Sequence, residues 1–227
     1  MVWQVDRGRW EGRMARCWAW LTPAERQQAE AYPTPRRQRF ILSRGLLRGL
    51  LGHYLGCEPT SLQFDYGPHG KPSLAHSPWQ FNLSHGGDLL LYAIAPCPIG
   101  IDVEPMRPRA VTKLAQRWFQ PQEAAAILAL PPAQQQAAFF ATWTRKEAYL
   151  KATGEGLAGL RQVEVSTALE PTAGLRAIAG SPQAAAGWTL RSWQPQPDYW
   201  AAVAIAPPGA SLAWHWADLT PEGTFFW

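Results

Sequence analysis

Residues 143–151 read WTRKEAYLK. At 100° per residue, a helix through them puts Phe140, Trp143, Glu147, Leu150 and Lys151 on one side, so a carboxylate points where aromatic and aliphatic groups point. An unpaired buried carboxylate is costly, which predicts a cation beside Glu147, either a lysine or a metal ion. Of the 21 lysines and arginines only four are lysines, Lys71, Lys113, Lys146 and Lys151, and two of these bracket the glutamate. Where arginine is the default cation, a lysine points to a task for a compact charge or a proton donor. The ordinary alternative is an i,i+4 ion pair on a solvated helix, and the aromatic face argues against it.

About forty residues upstream, IGIDVE at 99–104 alternates as a strand should, with Ile99, Ile101 and Val103 on one face and Gly100, Asp102 and Glu104 on the other. Two acids at this spacing project about 7 Å apart along the chain and can reach one hard cation. A solvated strand edge is the bland reading of the pair alone. With Glu147 as a third oxygen donor, the set suits Mg²⁺ bound together with phosphate oxygens, and the whole reads as a phosphoryl-transfer site. Lys146 and Lys151 then neutralise phosphates or a leaving oxygen.

Further upstream, the turn YGPHGKP at 66–72 offers backbone N–H groups and the ammonium of Lys71 to an anion. NLSH at 82–85 places a hydroxyl and an imidazole at a strand end, and imidazole beside guanidinium suits a phosphate monoester. Arg36, Arg37, Arg39 and Arg44 form a basic stripe near the start of a helix, which can face an anionic ligand or simply water.

Around these motifs the pattern predicts helices over 22–32 (Thr22 as cap, Pro23 in the first turn), 36–55, 111–119, 122–130 and 133–153. Strands are predicted over 62–66, 79–85, 89–95, 99–104, 162–166, 188–193 and 199–206. Each half has a long helix followed by strands, and LLYAIAP at 90–96 resembles AAVAIAP at 201–207. The fold class is therefore α+β, with a first half over 1–105 and a second over 106–227.

The 227 residues are 47% apolar, enough for a proper core, with net charge +4. Cys17, Cys57 and Cys97 are scattered, so neither a disulfide framework nor a zinc site is expected. The first residues lack an apolar signal core and no run is long enough to span a bilayer, giving a reduced, soluble, cytoplasmic protein as the expectation. GxxxxGK[ST], GxGxxG after a strand, GxSxG and HExxH are all absent from the sequence, which removes support for P-loop, dinucleotide, serine-hydrolase and zinc-protease chemistry.

The ordered set GKP (70–72), FNLSH (81–85), IGIDVE and WTRKEAYLK resembles the 4′-phosphopantetheinyl transferase superfamily, in its Sfp-type, pseudo-dimeric form. The resemblance spans most of the chain and implies two similar α+β halves related by a pseudo-two-fold axis. It implies transfer of the phosphopantetheine arm of coenzyme A to a serine of an apo acyl, polyketide or peptidyl carrier protein, releasing 3′,5′-ADP. Asp102, Glu104 and Glu147 match the family's Mg²⁺ ligands, with Mn²⁺ as an alternative. Glu147, or a metal-bound water that it orients, would take the serine proton, and Lys151 would stabilise or protonate the departing oxygen. Gly70, Lys71, Asn82, Ser84, His85, Asp102, Lys146 and Lys151 would line the coenzyme A site, with His85 and Arg44 on the 3′-phosphate and Arg37 favoured over Arg36 and Arg39.

Expected partners are coenzyme A and an acidic carrier protein, for a monomer with no nucleic-acid or membrane partner. Two other readings stay open from the sequence: a metal-dependent phosphodiesterase or nuclease using the same carboxylates on water, and a non-catalytic basic module that binds an acidic protein.

Overall fold

The computed structural model describes residues 1–170 and 174–207, together with the backbone of 216–218. In chain order the elements are β1 (Val2–Asp6), α1 (Arg7–Trp10), α2 (Met14–Ala19), α3 (Pro23–Glu30), α4 (Thr34–Leu55), β2 (Phe64–Tyr66), β3 (Pro72–Leu74), β4 (Gln80–Gly86), β5 (Leu89–Ala95) and β6 (Ile99–Pro105). Then follow α5 (Val111–Trp118), α6 (Pro121–Leu128), α7 (Pro132–Thr153), β7 (Val163–Val165), β8 (Leu175–Ile178), α8 (Pro182–Ala186), β9 (Thr189–Trp193), β10 (Tyr199–Ile205) and β11 (Trp216–Asp218).

Proline sets many of the helix starts, because its missing N–H is no loss in the first turn. Pro23, Pro121 and Pro132 each open a helix, and α3 adds a capping box in which Thr22 and Glu25 satisfy each other's backbone N–H groups. Both long helices end on a left-handed glycine, Gly56 after α4 and Gly154 after α7.

Two sheets lie between the long helices. The first has the order β11-β1-β5-β4 and the second β6-β10-β9. Val2, Leu89, Leu91 and Ala93 of the first meet Ile99, Ile101, Val103, Ala201, Val203 and Ile205 of the second. The opposite face of the first sheet packs Trp3, Val5 and Tyr92 on Leu42, Leu46 and Leu50 of α4. That of the second packs Leu190, Ala202 and Ala204 on Ala148 and Tyr149 of α7. The layers thus run helix, sheet, sheet, helix, an α+β arrangement.

One contact governs how close α7 lies to its sheet. A Cβ on Gly100 would sit 2.1 Å from the carbonyl oxygen of Ala148, so only glycine lets β6 and α7 approach this far. Strand β6 pairs with β10, Asp102 opposite Ala202, so the expected division at residue 105 falls just past a strand hydrogen-bonded into the following half's sheet.

Helix α4 starts two residues before the expected Arg36, since Pro35 is tolerated in its first turn. The strand expected from Leu62 starts at Phe64, after a 3₁₀ turn over Pro59–Ser61. Strand β1, the helices over 7–19, β8 and α8 were not predicted: they are short segments whose periodicity is slight and whose stability comes from tertiary pairing.

Candidate active site

Asp102 is buried between β6 and α7, with its Oδ1 accepting hydrogen bonds from Ser84 Oγ (2.8 Å) and Lys151 Nζ (2.6 Å). Lys151 also donates to Ser84 Oγ (3.0 Å), which accepts the Val103 N–H at 3.2 Å. Ser84 is thus fully used in orienting the acid and the lysine. Asp102 Oδ2 is buried with no hydrogen-bond partner. Glu147 and Glu104 are both held up to about 7, first by burial and then by the Asp102 charge, with Lys151 opposing.

Two hollows are lined by members of this cluster, and another opens at His85, the residue after Ser84. The first, about 220 Å³, is lined by Glu147, Leu150 and Lys151 together with His69, Gly70, Lys71 and Asn82. Gly70 has φ of 77°, letting the loop turn beside the helix. Lys71 Nζ donates to the carbonyl of Ala152 (2.6 Å) near the end of α7, and burial lowers its pKa to about 8. Asn82 Oδ1 accepts the Ile101 N–H (2.8 Å), tying β4 to β6.

The second hollow, about 480 Å³, collects Arg7, Tyr32, Arg36, Arg39, His85 and Arg107. Neighbours along β4 point to opposite faces, so His85 is exposed here while Ser84 is buried against Asp102. The third, about 230 Å³, is lined by Glu104, Arg109, Leu114, Phe139, Phe140 and Trp143.

Three basic residues lie elsewhere than expected. Arg37 lines none of these hollows and instead lies over the Trp18 ring at 5.8 Å, whereas Arg36 and Arg39 join His85. The turn of the helix decides this, since residues one apart diverge by 100°. Arg44 is engaged by Glu25 at 3.5 Å and by the Tyr66 hydroxyl at 3.0 Å. Lys146 is wholly buried on the far side of α7, paired with Glu123 at 2.7 Å and donating to the carbonyls of Leu160 and Val163. It is a core cation here and lines none of the three hollows, unlike Lys71 and Lys151.

A family model of the 4′-phosphopantetheinyl transferase superfamily matches residues 98–204, the span holding Asp102, Glu104, Glu147 and Lys151. The 4′-phosphopantetheinyl transferase HetI of a Nostoc species is 40% identical over 223 residues, covering 95% of this chain and 91% of that protein. This chain belongs to the 4′-phosphopantetheinyl transferase superfamily. The transferase is also similar to AcpT of Escherichia coli (40% identical, over 59% of this chain and 66% of that one). To Sfp of Bacillus subtilis it is 28% identical, over 67% and 69%.

The transferase's donor set fits a hard divalent cation by its chemistry. Glu104 and Glu147 each feel the Asp102 charge, all three offer oxygen ligands, and the orphaned Asp102 Oδ2 is a ready acceptor for such an ion. As they stand, no three His, Cys, Asp or Glu side chains among the described residues are drawn together closely enough to hold a metal, and the ammonium of Lys151 is the cation on Asp102. Sequence reasoning did not single out Arg7, Tyr32 or Arg107, which come from separate parts of the chain and carried no motif, while His69 lies within the turn at 66–72 that was read for its backbone and for Lys71. Among the described residues no helix of the transferase is long and apolar enough to cross a membrane.

Proposed function

We propose that this transferase moves the 4′-phosphopantetheine arm of coenzyme A to a serine hydroxyl of an apo carrier protein, releasing 3′,5′-ADP. The observation that carries the reading is the convergence of Glu147 and Lys151 on one hollow with Lys71, directly beside Asp102. The serine oxygen attacks the β-phosphorus, a new P–O bond forms, and the bond to the nucleotide's phosphate oxygen breaks. Glu147, or a water that it orients, takes the serine proton. Lys151 can turn from Asp102 to the departing oxygen, and the ammonium of Lys71 offsets charge on the diphosphate.

Asp102, Glu104 and Glu147 would hold Mg²⁺, or Mn²⁺ in its place. The ion, when bound, supplies Lewis-acid neutralisation of the diphosphate. Arg36, Arg39 and His85 are the better candidates for the 3′-phosphate, displacing Arg37 and Arg44 from the earlier expectation. Leu114, Phe139 and Trp143, with Arg109 at the same hollow, suit the apolar and acidic surface of a carrier helix close to Glu104.

The helix–sheet–sheet–helix layers are in keeping with two similar halves, 1–105 and 106–227, with the carboxylates at their seam; a monomer working in the cytoplasm is part of the same proposal. The test is to incubate the protein with coenzyme A, Mg²⁺ and a panel of apo carriers and weigh the carriers by intact-mass spectrometry. A gain of one phosphopantetheine arm is expected. No gain on any carrier, together with no affinity for coenzyme A, would overturn the reading.

A further inference from the structure

We infer that the buried Glu123–Lys146 pair is the device that sets the rotation of α7, and through it the position of the Glu147 carboxylate. The inference rests on the proposed transfer reaction only for its kinetic consequence.

The pair joins three separate segments. Lys146 Nζ on α7 meets Glu123 Oε2 at 2.7 Å and donates to the carbonyls of Leu160 and Val163. Glu123, near the start of α6, accepts the N–H of Gln120 on Oε2 (2.8 Å) and that of Val165 on Oε1 (2.8 Å). The side chains of Lys146 and Glu123 are 0% and 2% exposed, so water can replace none of these bonds. A pair this well satisfied tolerates one setting of the helix.

Geometry turns that setting into a functional one. Rotating α7 by about 20° would carry a group at side-chain radius through roughly 2 Å, enough to break the contacts of Nζ. Glu147 is the next residue, so the same rotation would move its carboxylate as far from its place beside Asp102. On the opposite side of α7, the bare Gly100 sets how deep the helix sits without itself fixing the rotation. Arg145, wholly buried and donating to Ser192 Oγ and to the carbonyls of Ser166, Ala168 and Glu170, holds the neighbouring position and shares with the pair the setting of the helix. Burial of a charge pair is a poor source of stability, since an apolar pair of similar volume often serves as well. Its best-attested use is to specify register, and here the register specified is that of the base.

The test compares Lys146→Met, Glu123→Gln and the double variant with the wild-type protein, measuring thermal unfolding, coenzyme A affinity by calorimetry, and kcat and KM for transfer. The expected result is a kcat lower by roughly 10- to 100-fold in each folded variant with KM for coenzyme A little changed, because a base misplaced by an ångström or more acts on turnover. The double variant should cost no more than the worse single one, since the pair works as a unit. If a single variant fails to fold, the double variant, which leaves neither charge unpaired, carries the comparison.

Folded variants with wild-type kcat would reduce the pair to a purely structural role. A raised KM in Lys146→Met with Glu123→Gln silent would return Lys146 to the phosphates. A crystal structure of the double variant reads the proposal without any activity: α7 turned and Glu147 drawn away from Asp102 supports it, and a helix in its wild-type setting overturns it even if the wild-type protein transfers nothing. Failure of the wild-type transfer itself counts against the proposed reaction and leaves this structural readout standing.

Discussion

Lys151 Nζ lies 2.6 Å from Asp102 Oδ1, so the cation called for by the carboxylate on the aromatic helix face is engaged with the neighbouring strand instead. Asp102 is 4% exposed at its side chain and Lys151 30%. The lysine can therefore leave, while the aspartate cannot. With Ser84 bridging both, this ion pair is the resting neutralisation of a cluster of three acids.

Replacing Lys151 with methionine should accordingly separate two properties. Transfer should fall by about 100-fold or more, because the departing oxygen loses its partner. Mg²⁺ measured by calorimetry in the absence of coenzyme A should bind more tightly, because no ammonium competes for Asp102. Weaker Mg²⁺ binding in the variant would show that Lys151 does not stand in a cation's place.

The raised carboxyls make metal-free stability depend on pH. Below about 4.5 both folded and unfolded chains keep these protons, and Glu104 and Glu147 cost nothing. Between that value and about 7 the unfolded chain gives them up while the folded one retains them, so stability falls as pH rises, and above 7 the loss is constant. Thermal scans in a chelator should show a decline of roughly 5 °C across this window that is absent from the Glu104→Gln/Glu147→Gln protein. A parallel decline in both proteins would assign it to other groups.

Arg36 and Arg39 share a hollow with His85, whereas Arg37 lies over Trp18. Arg36→Ala and Arg39→Ala should each weaken coenzyme A by roughly tenfold, the order expected for one charge-assisted contact, with Arg37→Ala within about twofold. Repeating the calorimetry with dephospho-coenzyme A should erase the difference, since that molecule lacks the 3′-phosphate. An Arg37 effect as large as the other two would restore the sequence expectation.

Gly100→Ala should push α7 off β6. The added carbon would meet backbone at 2.1 and 2.3 Å, from Ala148 and Ala152, and neither atom can swing away. A loss of about 1–3 kcal/mol in urea unfolding is expected, with transfer reduced in the protein that still folds. Wild-type stability would mean that the helix moves aside without cost.

The chemistry-bearing motifs were legible because their spacing is local. Alternation put Asp102 and Glu104 on one face of β6, and the 3.6-residue period put Glu147 and Lys151 on one side of α7. Helices opened by a cap and a proline were equally plain, Thr22 and Pro23 among their markers. Short paired strands such as β1 and β8 were not, because three to five residues hold little periodicity and depend on a distant partner.

The sequence by itself determined the family, the acids, and the faces they occupy, since each of these is a property of residue type and of spacing within one element. Only the tertiary structure decided which cation meets which acid. A lysine's long stem reaches any partner within several ångströms, so adjacency to Glu147 in the chain could not tell that Lys151 would close on Asp102 while Lys146 turned through the helix to Glu123. The same holds for Arg36, Arg37 and Arg39, whose roles divide according to what the first turns of one helix happen to face.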